Sequence, residues 1–244
     1  MRTIKILLVL LVCSSGSIAY AGTYDNFKQL VQSAYLKPFA KDLGGILGAG
    51  TFHSGKTLSF PGFDVGVHGA AQSKPNKDNE ILKLAGVKGF GLPWVQVETA
   101  LPLTGLDVMV RGMGAGGLTL IGGGLRAKVF ANAVPMTPKI AISSFVDSLT
   151  HDFFSVTHIS GNLAASLNLP IEIISPYVGV GVDVTHVKVK QSVNSTLVGL
   201  KETTTEPRFT VGVDFSPLPL LYMHGGYNLV HADSVYEFGL GVRF

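Results

Sequence analysis

Few residues in this chain combine a reactive type with a useful spacing, and each instance also has a plainer reading. His158, Ser160 and Asn162 alternate along His158-Ile159-Ser160-Gly161-Asn162, so an extended strand puts all three on one face. A base beside a hydroxyl is the pairing that activates a serine nucleophile. The apolar set Ile159, Leu163, Ala165 and Leu167 takes the opposite face, which makes the His158 face the polar lining of a strand. Gly112-Met113-Gly114-Ala115-Gly116-Gly117 matches the spacing of a dinucleotide-binding loop. That chemistry needs a following helix whose N-terminus holds the pyrophosphate, and the strand-like, Gly-rich run Leu118 to Gly124 follows instead. The seven histidines stand singly, without the i, i+4 or H-x-H spacing of a metal site, and no metal or other cofactor is expected. The single cysteine, Cys13, lies in the N-terminal apolar run, so thiol chemistry and disulfides are not expected either.

What remains is charge. Asp64, Glu98, Asp107, Arg111, Arg126, Lys128, Asp183, Arg208, Asp214, Glu237 and Arg243, with His68 and His224, all fall on the polar face of alternating segments. Facing one another inside a narrow enclosure, such charges must be paired or wet. A strongly selective pore would carry a ring of one sign, whereas these signs are mixed. Two readings stay open: an ion-pair network that fills and stiffens the interior, or a narrow polar path. No catalytic residue is assigned.

These side chains need strands to aim them, and the alternation supplies the strands. Tyr236, Phe238, Leu240, Val242 and Phe244 occupy one face of the last segment, opposite Glu237, Gly239, Gly241 and Arg243. Phe209, Val211, Val213 and Phe215 oppose Arg208, Thr210, Gly212 and Asp214. Val178, Val180, Val182 and Val184 oppose Tyr177, Gly179, Gly181, Asp183 and Thr185, and Phe63, Val65 and Val67 oppose Asp64, Gly66 and His68. A period of two puts each apolar set on one side of a sheet. Only 14% of residues are charged and mean hydropathy is +0.38, yet past the N-terminal run no apolar stretch is long enough for a spanning helix. Such a chain fits a closed barrel, because only helices and barrels satisfy their backbone in lipid. The alternative is a soluble β-sandwich with its apolar faces packed together.

The first residues set the compartment. Arg2 and Lys5 precede the apolar run Ile6 to Val12, and Ala19-Tyr20-Ala21 is an A-x-A cleavage site. This is the pattern of a secretory signal. Losing Arg2 and Lys5 lowers the formal charge from +3, and no basic run of the kind nucleic acid requires is present. The expected organisation is a signal peptide at 1–21, an N-terminal helix and linker at 22–42, and a barrel at 43–244.

Eleven candidate strands fall near 45–53, 60–70, 91–101, 104–112, 117–129, 138–147, 152–168, 171–190, 206–216, 219–229 and 234–244. Tight connections (Pro102 to Gly105, Asn168 to Pro170, Ser216 to Pro219) alternate with long ones (Ala71 to Phe90, Gln191 to Thr205). Short turns mark the periplasmic end of bacterial barrels, whose strand counts are even. An odd count therefore means that one strand is misassigned, giving ten or twelve, or that another element carries the N-terminus across. Phe27, Leu30, Val31, Ala34 and Tyr35 have helical spacing, with Thr23 as N-cap and Pro38 as the stop. This helix could plug the lumen, where Gly-rich inward faces leave room, or lie beneath the barrel.

Ala34-Tyr35-Leu36-Lys37-Pro38 with Pro61-Gly62-Phe63-Asp64-Val65, and later Leu92-Pro93-Trp94-Val95-Gln96-Val97 and Val110-Arg111-Gly112, resemble a family of exported bacterial outer-membrane β-barrel proteins that is functionally uncharacterised. The resemblance implies a barrel and supplies no activity. A helix ahead of a barrel is similar to the outer-membrane fatty-acid transporters, whose N-terminus plugs the lumen, although this chain is much shorter. Outer-membrane lipid hydrolases also pair a His with a Ser two residues on, but they place Asn directly after the Ser, where this chain has Gly161. The expectation is an all-β outer-membrane barrel of 10–12 strands, porin-like, giving narrow or gated passage to an unspecified small solute. The alternative is a structural or interaction barrel with a filled lumen, and the third reading is a lipid hydrolase. The expected partners are the lipid bilayer and the outer-membrane assembly machinery, which would read Tyr236, Phe238, Leu240, Val242 and Phe244.

Overall fold

A computed structural model describes residues 24–244 except 133, 135, 168, 171, 172 and 232. The export signal expected at 1–21 and the N-cap assigned to Thr23 lie outside the described residues. Ten antiparallel strands close on themselves: β1 (Phe63–Gln72), β2 (Phe90–Ala100), β3 (Leu106–Ala115), β4 (Leu118–Phe130), β5 (Pro138–Thr150), β6 (Phe154–Leu167), β7 (Ile174–Val189), β8 (Lys201–Leu218), β9 (Leu221–Val230) and β10 (Asp233–Arg243). Each strand pairs with its neighbours in sequence, and β1 pairs with β10 to close the wall. Closure leaves no unpaired edge, which removes the exposed backbone donors and acceptors of an open sheet. The seam is completed by Phe244, whose N–H donates to Phe63 O (2.8 Å) and whose carbonyl accepts from Phe63 N (3.2 Å).

The alternation read from the sequence sets which face is which. Val178 pairs with Val211 and Val180 with Phe209, so apolar neighbours line up across strands on the outside. All four are exposed, Val180 at 50%. A soluble sandwich would have covered such a surface, and monomeric soluble proteins rarely show a contiguous apolar patch of this extent. Tyr236, Phe238, Val242 and Phe244 belong to the same outward band, and Leu240 is half-buried within it.

The inside is closed by the N-terminal segment. Helix α1 (Phe27–Leu30) is short; the chain breaks at Val31 and Gln32, and α2 (Ser33–Gly48) enters the barrel. The buried stripe of α2, Leu36, Phe39, Ala40, Leu43, Ile46 and Leu47, has the spacing of one helical face. It meets inward residues of the wall including Leu120, Leu149, Val156, Val187 and Val235. Gly44 and Gly48, one turn apart, set the helix against β7. A Cβ on Gly44 would overlap Thr185 Oγ1, and one on Gly48 would lie 2.5 Å from Asp183 Oδ2. Beyond Gly48 the chain continues through the lumen until Leu58 N donates to Asp107 Oδ2 (2.9 Å), and then enters β1. At the end carrying the long loops, Val193 N donates to Lys28 O, joining residues 190–200 to α1. Helix α3 (Glu80–Leu84), in the 73–89 loop, packs against both α1 and α2.

The structure departs from the sequence expectations at several points. The strand near 45–53 does not exist: 45–48 is the last turn of α2, and 49–53 is lumen-filling chain. The count is therefore ten, not eleven, and even. Pro38 does not stop the helix. It sits inside α2, early enough that only one backbone hydrogen bond near the N-terminus is lost. Ala34, expected on the buried stripe, is exposed, because the break at Val31 and Gln32 resets the helical phase. The barrel wall begins at Phe63 rather than at 43. β8 starts at Lys201, five residues before the expected boundary, because its outer part is polar on both faces and carries no apolar alternation. Lys128 has inward parity but is exposed at the rim, where the β4–β5 register shifts between Lys128 and Phe130.

Candidate functional site

The lumen is the candidate site, and it is built in three layers around the plug. At the loop end the contacts are mostly apolar and aromatic. Phe39 packs on Phe27 and Phe154 at ring-centroid distances of 5.1 Å each, and on Tyr24 at 6.1 Å. Asp42 is the polar anchor of this layer. Its carboxylate accepts from Gln72 Nε2 (2.9 Å), Asn76 N (3.0 Å) and Asn79 Nδ2 (2.6 Å), which ties α2 to the 73–89 loop. Lys41 reaches Glu206 on β8 at 2.7 Å.

The middle layer is a belt of buried charge at the C-terminal end of α2. A helix end presents unsatisfied carbonyls and partial negative charge, so it favours cations and donors. Arg111 Nη2 donates to Leu47 O at 2.6 Å, and Thr51 Oγ1 donates to Gly48 O at 2.8 Å. Arg111 also holds Asp147 through Nε (2.8 Å) and Nη2 (2.7 Å) and lies over the rings of Trp94 and Phe145. His158 lies between two carboxylates: Nδ1 hydrogen-bonds Asp147 at 3.1 Å, and Nε2, without a hydrogen bond, faces Asp183 at 3.4 Å. Asp183 pairs with Arg208 at 2.8 Å, and Arg208 Nη2 donates to Asn162 (2.5 Å) and to the plug at Thr51 Oγ1 (3.0 Å). The belt continues through Thr210 and Asn228 to Glu237, which accepts from Asn228 Nδ2 (2.8 Å), Tyr177 OH (2.6 Å) and the plug's Gly50 N (2.7 Å). Leu47 O, Thr51 Oγ1 and Gly50 N of the plug are each met by a wall group of opposite polarity, and Gly48 O by the plug's own Thr51, as buried polar atoms require.

The third layer, toward the short turns, joins His53 of the plug to His68, His224, Tyr222, Asp64 and Arg243 of the wall. His68 Nδ1 and His224 Nε2 are 2.9 Å apart, and the His53 ring stacks on His224 at 4.5 Å. Arg243 donates from Nε to Asp64 Oδ2 (2.9 Å) and from Nη2 to His53 Nε2 (3.0 Å), and it lies 3.8 Å from Asp214. Beside them Arg126 pairs with Glu98 and lies 3.5 Å from Asp107.

Asp64, His68, Glu98, Asp107, Arg111, Arg126, Asp183, Arg208, Asp214, His224 and Glu237 are therefore buried inside the barrel, and Arg243 is partly exposed at its turn end. Asp64 and Asp214 meet Arg243, Glu98 and Asp107 meet Arg126, and Asp183 meets Arg208 as opposed charges, whereas Arg111 pairs with Asp147, His68 meets His224, and Glu237 is held by neutral donors. Ser160 Oγ accepts from Asn162 Nδ2 at 3.3 Å while His158 turns both ring nitrogens to carboxylates, so base and hydroxyl do not form a pair. The sequence alone put Tyr177 and Asn228 on inward faces without giving them a place among the lumen-lining candidates, and it passed over Asp147 and His53. Asp147 had the right parity on β5 but stood at the assumed strand end. His53 was hidden by the strand assigned to its segment. His68 and His224 lie 156 positions apart and meet only through barrel closure, which no spacing rule detects.

No family model and no curated protein matches this chain. Among solved structures it is similar to the N-terminal β-barrel domain of Pseudomonas aeruginosa OprF, at 12% identity and TM-score 0.38 over 75% of this chain and 98% of that one. It is similar to the KdgM porin at 9% identity and TM-score 0.39, over 74% of this chain and 99% of that one. A third similar structure is Ail, the attachment invasion locus protein of Yersinia pestis, in complex with the heparin analogue sucrose octasulfate. That match has 16% identity and TM-score 0.32, over 76% of this chain and all of that one. Similarity this low says nothing about what the present chain does.

Proposed function

We propose that this protein is an outer-membrane β-barrel sealed by its own N-terminal segment, acting as a structural or interaction barrel through its capped end. The membrane reading is supported by the exposed apolar band, the closed wall and the split between short turns at one end and long loops at the other. On that split, α1, α3 and residues 190–200 form the outer cap. The sealed reading is carried by one observation: α2 and the chain after it occupy the lumen with their contacts buried and paired. Leu36, Phe39, Leu43, Ile46 and Leu47 are buried at 1% exposure or less. At about 1.5–3 kcal/mol for each large apolar side chain, withdrawing them costs on the order of 10 kcal/mol before any polar contact is broken. One tenfold change in population per 1.4 kcal/mol makes a spontaneously open barrel about one molecule in ten million. Free passage of a small solute, the reading favoured from sequence, would need a partner or ligand that supplies that energy. The lipid-hydrolase reading loses support because His158 is engaged by two aspartates.

Liposome swelling tests the sealed reading. Vesicles carrying the folded protein should swell in isosmotic small sugars or amino acids no faster than protein-free vesicles. Swelling at a rate comparable to an open porin would overturn it.

A further inference from the structure

We infer that His53, His68 and His224 form a binding site for one divalent transition-metal ion of the zinc class, which fastens the plug to two strands of the wall. One ring nitrogen from each of the three residues lies within 4.8 Å of those of the others, and all three side chains are buried. Nitrogen ligands about 2.0–2.1 Å from a tetrahedral ion stand about 3.3 Å from one another. The 2.9 Å between His68 Nδ1 and His224 Nε2 is already near that spacing. His53 has to close by at most about 1.5 Å, and it sits on plug chain that is not locked into a strand.

The site has room for an ion, and the Arg243 guanidinium beside His53 is neutralised by Asp64. Gly239 leaves the space at the meeting point of the two wall histidines, because a Cβ there would collide with both His224 Nε2 and His68 Nδ1. His224 Nδ1 is a buried polar atom with no hydrogen-bond partner, and its register neighbour Asp214, on the same inward face, turns Oδ2 to Arg243 at 3.8 Å without a hydrogen bond. Asp64 takes the Nε hydrogen of Arg243 and the hydroxyl hydrogen of Tyr222, whose oxygen is 3.4 Å from His68 Nε2. Arg243 thus remains paired when an ion replaces its hydrogen bond at His53 Nε2. Three neutral imidazoles with one further position open are the donor set of zinc and its neighbours, whereas magnesium and calcium prefer oxygen. The ligands come from the plug, β1 and β9, so the bound ion would cross-link lumen filling to barrel wall. This site stands on its own geometry, and its test reads metal binding rather than solute flux, so it can fail independently of the sealed-barrel reading.

The test uses the full barrel, free of any histidine tag, folded in detergent and stripped with a chelator. Titration calorimetry with Zn2+ should show one equivalent bound with micromolar or better affinity, and excess Mg2+ or Ca2+ should not compete. Co2+ should give the intense visible absorption of a tetrahedral site. Zn2+ should raise the apparent Tm by several degrees. His53→Ala, His68→Gln and His224→Gln should each weaken binding at least 100-fold with the heat-modifiable gel shift retained. His186→Ala, at an exposed residue paired with Thr203 on the outer hairpin, should leave binding unchanged. Absence of saturable one-equivalent binding to the folded wild type, or equal binding after removal of the three histidines, would overturn the assignment. The wild-type titration and the Co2+ spectrum decide the matter even if a variant fails to fold.

Discussion

The backbone N–H of Gly50 donates to Oε2 of Glu237 across 2.7 Å, although 187 positions separate them along the chain. One is in the plug and the other in the last strand of the wall. The bond marks the level at which the lumen changes from apolar packing around α2 to a belt of paired charge. Glu237 is the only carboxylate among the described residues to hold a plug N–H, Tyr177 and Asn228 together.

Replacing Glu237 therefore has a specific expected outcome. Glu237→Ala leaves three buried neutral donors without an acceptor and should cost roughly 3 kcal/mol or more, at about 1–3 kcal/mol for each unsatisfied group. Glu237→Gln keeps one acceptor oxygen and should cost less. Urea unfolding of the vesicle-folded protein measures the loss. Hydrogen exchange should show amide protection falling first at residues 49–52. Unchanged protection there would mean that the bond does not hold the plug.

The outward band predicts sensitivity to charge that depends on depth. Val180→Arg and Val211→Arg, both on the paired apolar surface of β7 and β8, should each cost about 2–4 kcal/mol if they lie near the bilayer midplane. Val193→Arg, on the exposed 190–200 loop, should be close to neutral. Equal cost at all three positions, read by the same unfolding assay, would mean that the band does not face lipid.

His158 and Ser160 are expected to be non-catalytic. The purified protein in micelles should release no fatty acid from phospholipid or lipid A. Ser160→Ala should behave as wild type, because Ser160 accepts only a long bond from Asn162. Hydrolysis abolished by Ser160→Ala would restore the enzyme reading.

Much of the wall was legible because a period of two is imposed directly by strand geometry. Val178 to Val184 and Phe209 to Phe215 could be assigned to faces without knowing their partners. The charged lining was legible for the same reason, as residues of opposite parity. What could not be read depended on contacts distant in sequence. Gly44-Gly45-Ile46-Leu47-Gly48 has no clear period, and its helical form rests on Arg111 and Thr51 meeting its terminal carbonyls and on Thr185 and Asp183 filling the space beside its glycines. Pro38 misled because a proline stop is a local rule, and tertiary burial of Phe39 and Leu43 outweighs it. The histidine trio was invisible because closure of β1 on β10, with β9 beside it, creates it.

Single-channel recording in planar bilayers tests the central claim most directly. The wild-type barrel should show no discrete conductance at moderate voltage. A variant lacking residues 24–54, still folded by heat-modifiable mobility, should open steady channels, because the α2 stripe and the Leu47 to His53 contacts that fill the lumen are gone. Stable conductance from the wild type, or a folded deletion variant that remains silent, would contradict the sealed-lumen account.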